Sequence, residues 1–155
     1  MKRAITGQKR YRHAFTLIEL VIVLGIISLV LVVTVPRLGG IYDRVLVEEQ
    51  TRIVEQDLLW LRSEARRTGA ATVFRCNGAN GYTMTVVEND ESKAENRTFV
   101  SERVSMSSNA RYGLVVFQAR GTAFEKCTLT VIAGKEKRTI VVNNLGRIRV
   151  GRGNG

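Results

Sequence analysis

Phe15 to Pro36 reads FTLIELVIVLGIISLVLVVTVP, and this stretch decides how the rest of the chain is read. From Leu20 to Val35 the only residues that are not plainly apolar are Gly25, Ser28 and Thr34. At ~1.5 Å per residue, residues 15–35 make a helix of roughly 30 Å, the thickness of a hydrocarbon core. Before it stands MKRAITGQKRYRHA, a basic leader with Lys2, Arg3, Lys9, Arg10 and Arg12 and no acid. The positive-inside rule keeps such a leader in the cytoplasm and exports the chain beyond the apolar run. The expected topology is a single pass, with the N-terminus cytoplasmic and the C-terminal domain periplasmic or extracellular.

One charge interrupts the run. An unpaired carboxylate buried in a spanning helix costs roughly 2.5–3.5 kcal/mol even on lenient insertion scales. Glu19 has no cation a turn further on, since its i+4 neighbour is Val23. Two readings stay open. Glu19 pairs with a new amine created by a cut before Phe15, or it sits at headgroup level as a first-turn residue that suits the helix dipole. An ordinary secretory signal fits less well. Its apolar region is about 7–15 residues long and ends at a small-residue cleavage site, whereas this run is longer and TVPRLGG comes after it. A plain membrane anchor leaves Glu19 unexplained.

Ala14-Phe15-Thr16-Leu17-Ile18-Glu19-Leu20 resembles the class III signal of type IV pilins and type II secretion pseudopilins. The resemblance implies cleavage before Phe15 by a prepilin peptidase/N-methyltransferase, which then methylates the new amine. It implies that Glu19 pairs with the N-terminus of a neighbouring subunit during filament assembly, and that Pro36 is the helix-kinking proline. It also places the chain in the inner membrane and, once assembled, in a filament. The family usually has Gly before the cut; here Ala14, the smallest substitute, stands there.

The chain has 155 residues, enough for one small domain beyond the apolar run. Its formal net charge is +10, but the five leader cations account for half of this, leaving about +5 after cleavage. Cys76 and Cys127 both lie in the exported part, where an oxidising compartment permits a disulfide. The alternative is two buried thiols acting as small hydrophobes. The single His13 belongs to the leader.

Residues 1–14 are thus a cleaved leader, 15–36 a transmembrane and assembly helix, 37–69 an amphipathic helical extension and 70–155 a β-rich head. Gly39-Gly40 marks a place where the helix can bend or melt. Ile41, Val45, Leu46, Ile53, Val54, Leu58, Leu61 and Ala65 then recur at threes and fours, with a longer gap around Glu49. That stripe should bury against a sheet. Trp60 is read as core, with a contact between subunits as the alternative. Arg62, Arg66 and Arg67 suit a helix C-terminus, with Gly69 as the residue after the cap. If Phe15 to Thr68 is one rod, it spans roughly 80 Å.

From Ala70 the period becomes two. The expected strands are Ala71–Cys76, Tyr82–Glu88, Arg97–Val104, Tyr112–Gln118, Lys126–Ile132, Arg138–Val142 and Gly146–Val150. The turns between them include Asn89 to Asn96 and Ser105 to Asn109. The fold class is α+β: one long N-terminal helix packed on an antiparallel β domain of one or two small sheets. Arg62-Ser63-Glu64-Ala65-Arg66, Phe117 with Arg120-Gly121, Cys127-Thr-Leu-Thr, Ile140-Val-Val-Asn and Gly146-Arg147-Ile148-Arg149 resemble the GspH/FimT type of minor pseudopilin and minor pilin.

Little here points to catalysis. There is no His for a triad, no metal-spaced Cys/His cluster and no phosphate-binding glycine loop, so no enzyme, metal or cofactor is expected. The acidic stretch Asn89 to Glu95 offers oxygens to a hard cation, but it contains Lys93 and has no fixed ligand spacing, so it reads as a solvated hairpin loop. The basic C-terminus is the stronger candidate. Arg147 and Arg149, two apart on a strand, share one face, and Arg152 stands beyond them in a glycine-rich tail. Guanidinium groups bind phosphates bidentately. In the DNA-uptake branch of the resembled family, a G-R-x-R element near the C-terminus is associated with DNA binding, and Gly146 to Arg149 match it. The alternative is a solvated edge strand whose cations discourage aggregation. The expected partners are other pilin or pseudopilin subunits, the prepilin peptidase, the inner membrane and, on the second reading, DNA. Two functions are expected: a minor pseudopilin of type II secretion, or a minor pilin for DNA uptake. A membrane-anchored enzyme is the third class, and it lacks a site.

Overall fold

The computed structural model describes residues 16–88 and 91–152, without the side chains of 33–38, 88 and 152. Ala14 and Phe15, at the expected cut, lie outside the described residues. The chain divides into two compact units, Met1–Leu38 and Gly39–Gly155. The first helix, α1 (Leu17–Thr68), contributes to both.

In the first unit α1 begins at a cap that the sequence spells out. The Glu19 N–H donates to Thr16 Oγ1 at 3.2 Å, and the Leu20 N–H donates to the Thr16 carbonyl at 3.2 Å. Thr16-x-x-Glu19 has the spacing of a capping box. The apolar side chains beyond it are exposed, from Leu17 at 81% to Val32 at 72%. Ser28 Oγ donates to the Leu24 carbonyl at 2.8 Å, so its hydroxyl is satisfied within the helix. Among the described residues no helix is long and apolar enough to cross a membrane. Gly39 and Gly40, read as a place where the helix can bend or melt, lie within α1, as does Pro36.

The second unit packs the remainder of α1 on two four-stranded antiparallel sheets. The strands are β1 (Thr72–Cys76), β2 (Tyr82–Glu88), β3 (Glu91–Arg97), β4 (Val104–Ser108), β5 (Leu114–Phe117), β6 (Cys127–Ala133), β7 (Glu136–Val142) and β8 (Ile148–Arg152). The first sheet has the order β3-β2-β1-β5, the second β4-β6-β7-β8. The helix buries Leu46, Val47, Gln50, Thr51, Val54, Leu58, Leu61 and Ala65. Phe74, Phe117, Leu129 and Ile140 meet it from the sheets with no exposed surface, and Phe74 stacks on Tyr82 at 4.8 Å. The Gly69 N–H closes the helix on the Ala65 carbonyl at 3.1 Å, at the expected cap.

Several expectations are corrected. Ile41 and Val45 are exposed, and the gap at Glu49 is filled by the buried polar residues Gln50 and Thr51. Thr51 Oγ1 donates to the Val47 carbonyl at 2.6 Å, and Gln50 Oε1 accepts from the Val100 N–H at 2.9 Å. Trp60 is 45% exposed rather than core, because 100° per residue places it about 120° round from the centre of the buried stripe. The expected turn from Asn89 to Asn96 holds β3, and the expected strand Arg97–Val104 is mostly connection. Every side chain of β3 is exposed, so it carries no alternation; its pairing with β2, Tyr82 opposite Arg97, holds it. Ser105 to Asn109, read as a turn, covers most of β4 (Val104–Ser108). Val104 and Met106 are buried there while the serines between them are less so, an alternation hidden by turn-like residues.

Candidate functional site

The scattered pieces of the C-terminal resemblance meet at the end of α1. Arg62 Nε donates to the Gly121 carbonyl at 2.9 Å, and its Nη2 donates to the Leu145 carbonyl at 3.4 Å. One side chain thus holds two turns. The first is closed by the Gln118 N–H on the Thr122 carbonyl at 2.8 Å. The second is closed by the Gly146 N–H on the Asn143 carbonyl at 2.8 Å and by the Arg147 N–H on Asn143 Oδ1, also at 2.8 Å. The Ala123 N–H donates to the Asn144 carbonyl at 3.1 Å and ties the two turns together. The aliphatic part of Arg66 lies over Gly121, where an added Cβ would stand 2.8 Å from Arg66 Cδ.

Gly146 is the tightest point of this assembly. Its φ is +73°, and a Cβ there would stand 2.0 Å from the Gly121 carbonyl oxygen and 3.0 Å from Arg62 Nε. The glycine of G-R-x-R is therefore required by packing. The arginines differ from it. Arg147 and Arg149 are exposed while Ile148 between them is half-buried, as the strand reading expects. Arg149 pairs with Val141 across β7 and β8, and β8 is the outer strand of its sheet. Neither guanidinium meets a carboxylate among the described residues. Arg152 ends β8 opposite Arg138, and its side chain is not among those described. Arg138 itself is engaged, its Nη2 2.5 Å from Glu48 Oε1. That hydrogen bond holds the Glu48 carboxyl below its ordinary range. Arg120, on the first turn, and Arg66 are also exposed, so the end of α1 gathers cations from three distant stretches.

The expected disulfide is not formed: Cys76 and Cys127 are both free. Cys76 Sγ lies 3.3 Å from the Met106 carbonyl. Met106 pairs with Val131, four residues along β6 from Cys127, or about 13 Å on a strand. Burial pushes both thiols up, Cys127 to about 11, which makes them poor nucleophiles. Glu19 is exposed in the first turn of α1 with its N–H capped by Thr16. Pro36 has its backbone in α1. Among the described residues no group of three His, Cys, Asp or Glu could hold a metal ion.

Sequence reasoning missed the dual role of Arg62 and the polar contacts that seat the helix. Tyr82 donates to Asp57 Oδ2 at 2.5 Å, and burial, then this bond, raises the Tyr82 hydroxyl well above its ordinary value. Thr72 Oγ1 donates to the Leu61 carbonyl at 3.0 Å. Arg62 could have been found only through its place in the Arg-Ser-Glu-Ala stretch, since its partners lie 59 and 83 residues away.

The fold has known counterparts. The type IV minor pilin FimU of Pseudomonas aeruginosa superposes with a TM-score of 0.57 at 17% identity, over 68% of this chain and 87% of that one. The minor pseudopilin EpsH from the Type 2 Secretion System of Vibrio cholerae gives 0.59 at 15% identity, over 71% of this chain and 99% of that one. At such identities the likeness establishes the fold alone. No curated protein sequence matches the chain. The prokaryotic N-terminal methylation motif matches residues 9–35. The family described as type II transport protein GspH matches residues 50–146, more than half of the chain, from Gln50 in the buried helix stripe to Gly146. With the turn assembly around Arg62 inside that span, the chain belongs to the GspH family of pilin-like proteins.

Proposed function

We propose that the chain is a minor pseudopilin, a structural subunit of a type II secretion-type pseudopilus. The observation that carries this reading is the presence in one chain of the methylation motif over 9–35 and the GspH match over 50–146. Prepilin peptidase cuts between Ala14 and Phe15 and methylates the Phe15 amine. The apolar helix holds the subunit in the inner membrane until neighbours take it into the filament. Glu19, its own amide already bonded to Thr16, offers its carboxylate to the Phe15 amine of an adjacent subunit. Pro36 lets the helix adjust to its neighbours, and the β domain meets other subunits or cargo on the periplasmic side. The role is assembly rather than catalysis.

Co-expression with a prepilin peptidase tests this. The mature chain is expected to begin at N-methylated Phe15 by mass analysis, and an intact Met1 chain overturns the reading. Glu19→Ala is expected to be cleaved normally yet incorporated into filaments at least several-fold less well. Normal incorporation would remove the pairing role.

A second reading is a minor pilin of the DNA-uptake type. It is favoured by Arg147 and Arg149 standing exposed at the outer strand β8, neither meeting a carboxylate among the described residues. Contacts from such a pair would be independent of sequence and sensitive to salt. The full chain in detergent is expected to bind duplex DNA at low salt. Replacing both arginines with Ala should lower the slope of log K against log salt by about 1.8. Absence of binding at low salt leaves the pseudopilin reading alone.

A further inference from the structure

The second sheet ends in an open edge at β8, the last strand of the order β4-β6-β7-β8. The backbone of Arg147 turns toward β7: its carbonyl accepts from the Asn143 N–H at 3.1 Å and its N–H donates to Asn143 Oδ1 at 2.8 Å. The Gly151 carbonyl turns the same way and accepts from Thr139 Oγ1 at 3.4 Å. Strand backbone alternates, so the N–H and carbonyl groups of Ile148 and Val150 face the open edge. The side chains alternate as well. Arg147 and Arg149 stand exposed on the outer face, while Ile148, half-buried, and Val150, 42% exposed, turn to the side of α1. Between α1 and this edge lies a cavity of about 280 Å³ lined by Glu48, Thr51, Arg52, Glu55, Arg138 and Val150. A ninth strand roughly 4.8 Å beyond β8 would bond the Ile148 and Val150 backbone. Its alternate side chains would cover Val150 and enter the cavity, and those between them would stand beside Arg149.

We propose that β8 is completed by an extended segment of another protein, with acidic residues at alternate positions beside Arg147 and Arg149 and apolar residues between them over Val150. Charge commits the occupant. Neither guanidinium meets a carboxylate among the described residues, and opposite charges across a strand pair stabilise it while like charges do the reverse. The outer strands of a second copy do not supply the match. β4, β5 and β8 carry no acid. In β3, Glu91 and Glu95 alternate with Lys93 and Arg97. A register that sets one of these glutamates beside one arginine and another β3 residue beside the second therefore brings Lys93 or Arg97 against that second arginine. Edge cations turn away basic and self-pairing strands, and the same cations select an acidic one. A merely solvated edge would have no use for the half-exposed Val150 or the cavity next to it. Main-chain bonds along the edge would supply affinity, and the alternate side chains specificity. The same arginines carry the DNA reading, and the test separates the two occupants.

The test uses the full chain in detergent and a fluorescein-labelled, end-blocked peptide of about eight residues that alternates Glu and Val. Fluorescence anisotropy is expected to show it bound at least tenfold more tightly than a peptide with the same residues in two blocks, and than one that alternates Lys and Val. N-methylation of the amides along one edge of the alternating peptide is expected to abolish binding, while N-methylation along the other leaves it within twofold, because only one edge meets β8. Val150→Pro removes an N–H that faces the open edge, where an outer strand tolerates proline. It is expected to weaken binding at least tenfold with an unchanged circular dichroism spectrum; if that variant unfolds, the methylated peptides decide, since they leave the protein unaltered. Equal binding of the alternating and block peptides, or binding that survives methylation of either edge, overturns the proposal, for the arginines then attract anions without pairing a strand. Duplex DNA bound by a chain that takes up none of the peptides overturns it as well, and leaves the arginines to the DNA reading.

Discussion

At position 146 a side chain has nowhere to go. A Cβ would stand 2.0 Å from the Gly121 carbonyl oxygen, and the φ of +73° is one that residues with a Cβ rarely adopt. Gly146→Ala must therefore move the Asn143 turn off Arg62 or strain the backbone. Strain of that kind costs of order 1–3 kcal/mol, and the lost seat of Arg62 adds to it. The expected outcome is a denaturation midpoint clearly below that of the unaltered chain. Arg147→Ala with Arg149→Ala should stay within about 0.5 kcal/mol of it, as exposed substitutions do. Urea titration of the three chains measures both. A four-residue motif would then divide into a glycine that builds the turn and two arginines that the turn displays.

Packing of the helix on the sheets depends on a row of residues rather than on any pair. Leu58 lies mid-row with no exposed surface, between Val54 and Leu61, which are equally buried. Truncation there removes apolar contact and leaves a cavity that rigid sheets cannot close. Leu58→Ala is expected to cost about 2–5 kcal/mol, whereas Leu59→Ala, at 47% exposure, should cost far less. Thermal unfolding monitored by circular dichroism separates the two. The same element shows how polar residues can belong to an apolar row. Gln50 is 1% exposed and bonds the Val100 amide, so it binds the connection between β3 and β4 to the helix.

Across the whole molecule, Glu48 and Arg138 join the helix to the second sheet over 90 residues of sequence. Arg138, first through its hydrogen bond, lowers the Glu48 carboxyl below its ordinary 4.5. A depressed carboxylate contributes stability that is fully present above the ordinary value and lost as pH falls through the lower native one. The unaltered chain is therefore expected to lose stability on acidification below about pH 4.5, and Glu48→Gln should flatten that limb. Urea midpoints at pH 7 and pH 3 check this: the gap between the two proteins should narrow at the lower pH. An unchanged gap would mean that the pair contributes nothing to the acid response.

The sequence by itself determined the N-terminal motif, the apolar run, the helix end at Gly69 and the strands β1, β2, β6 and β7. Each is written locally, as a contiguous motif, a helical or two-residue period, or a turn residue at its boundary. Only the tertiary structure decided the rest. β3 has no apolar face, and it is a strand because β2 offers it backbone partners. Trp60 looks like core by residue type and is exposed by its angle on the helix. Cys76 and Cys127 share a redox setting but face different stretches of strand. The assembly at the end of α1 is the largest such case. Arg62 finds its carbonyl partners 59 and 83 residues away, and Gly146 matters because Gly121 is beside it. Periodicity reports what a residue does within its own element, whereas these contacts arise only after separate elements have packed.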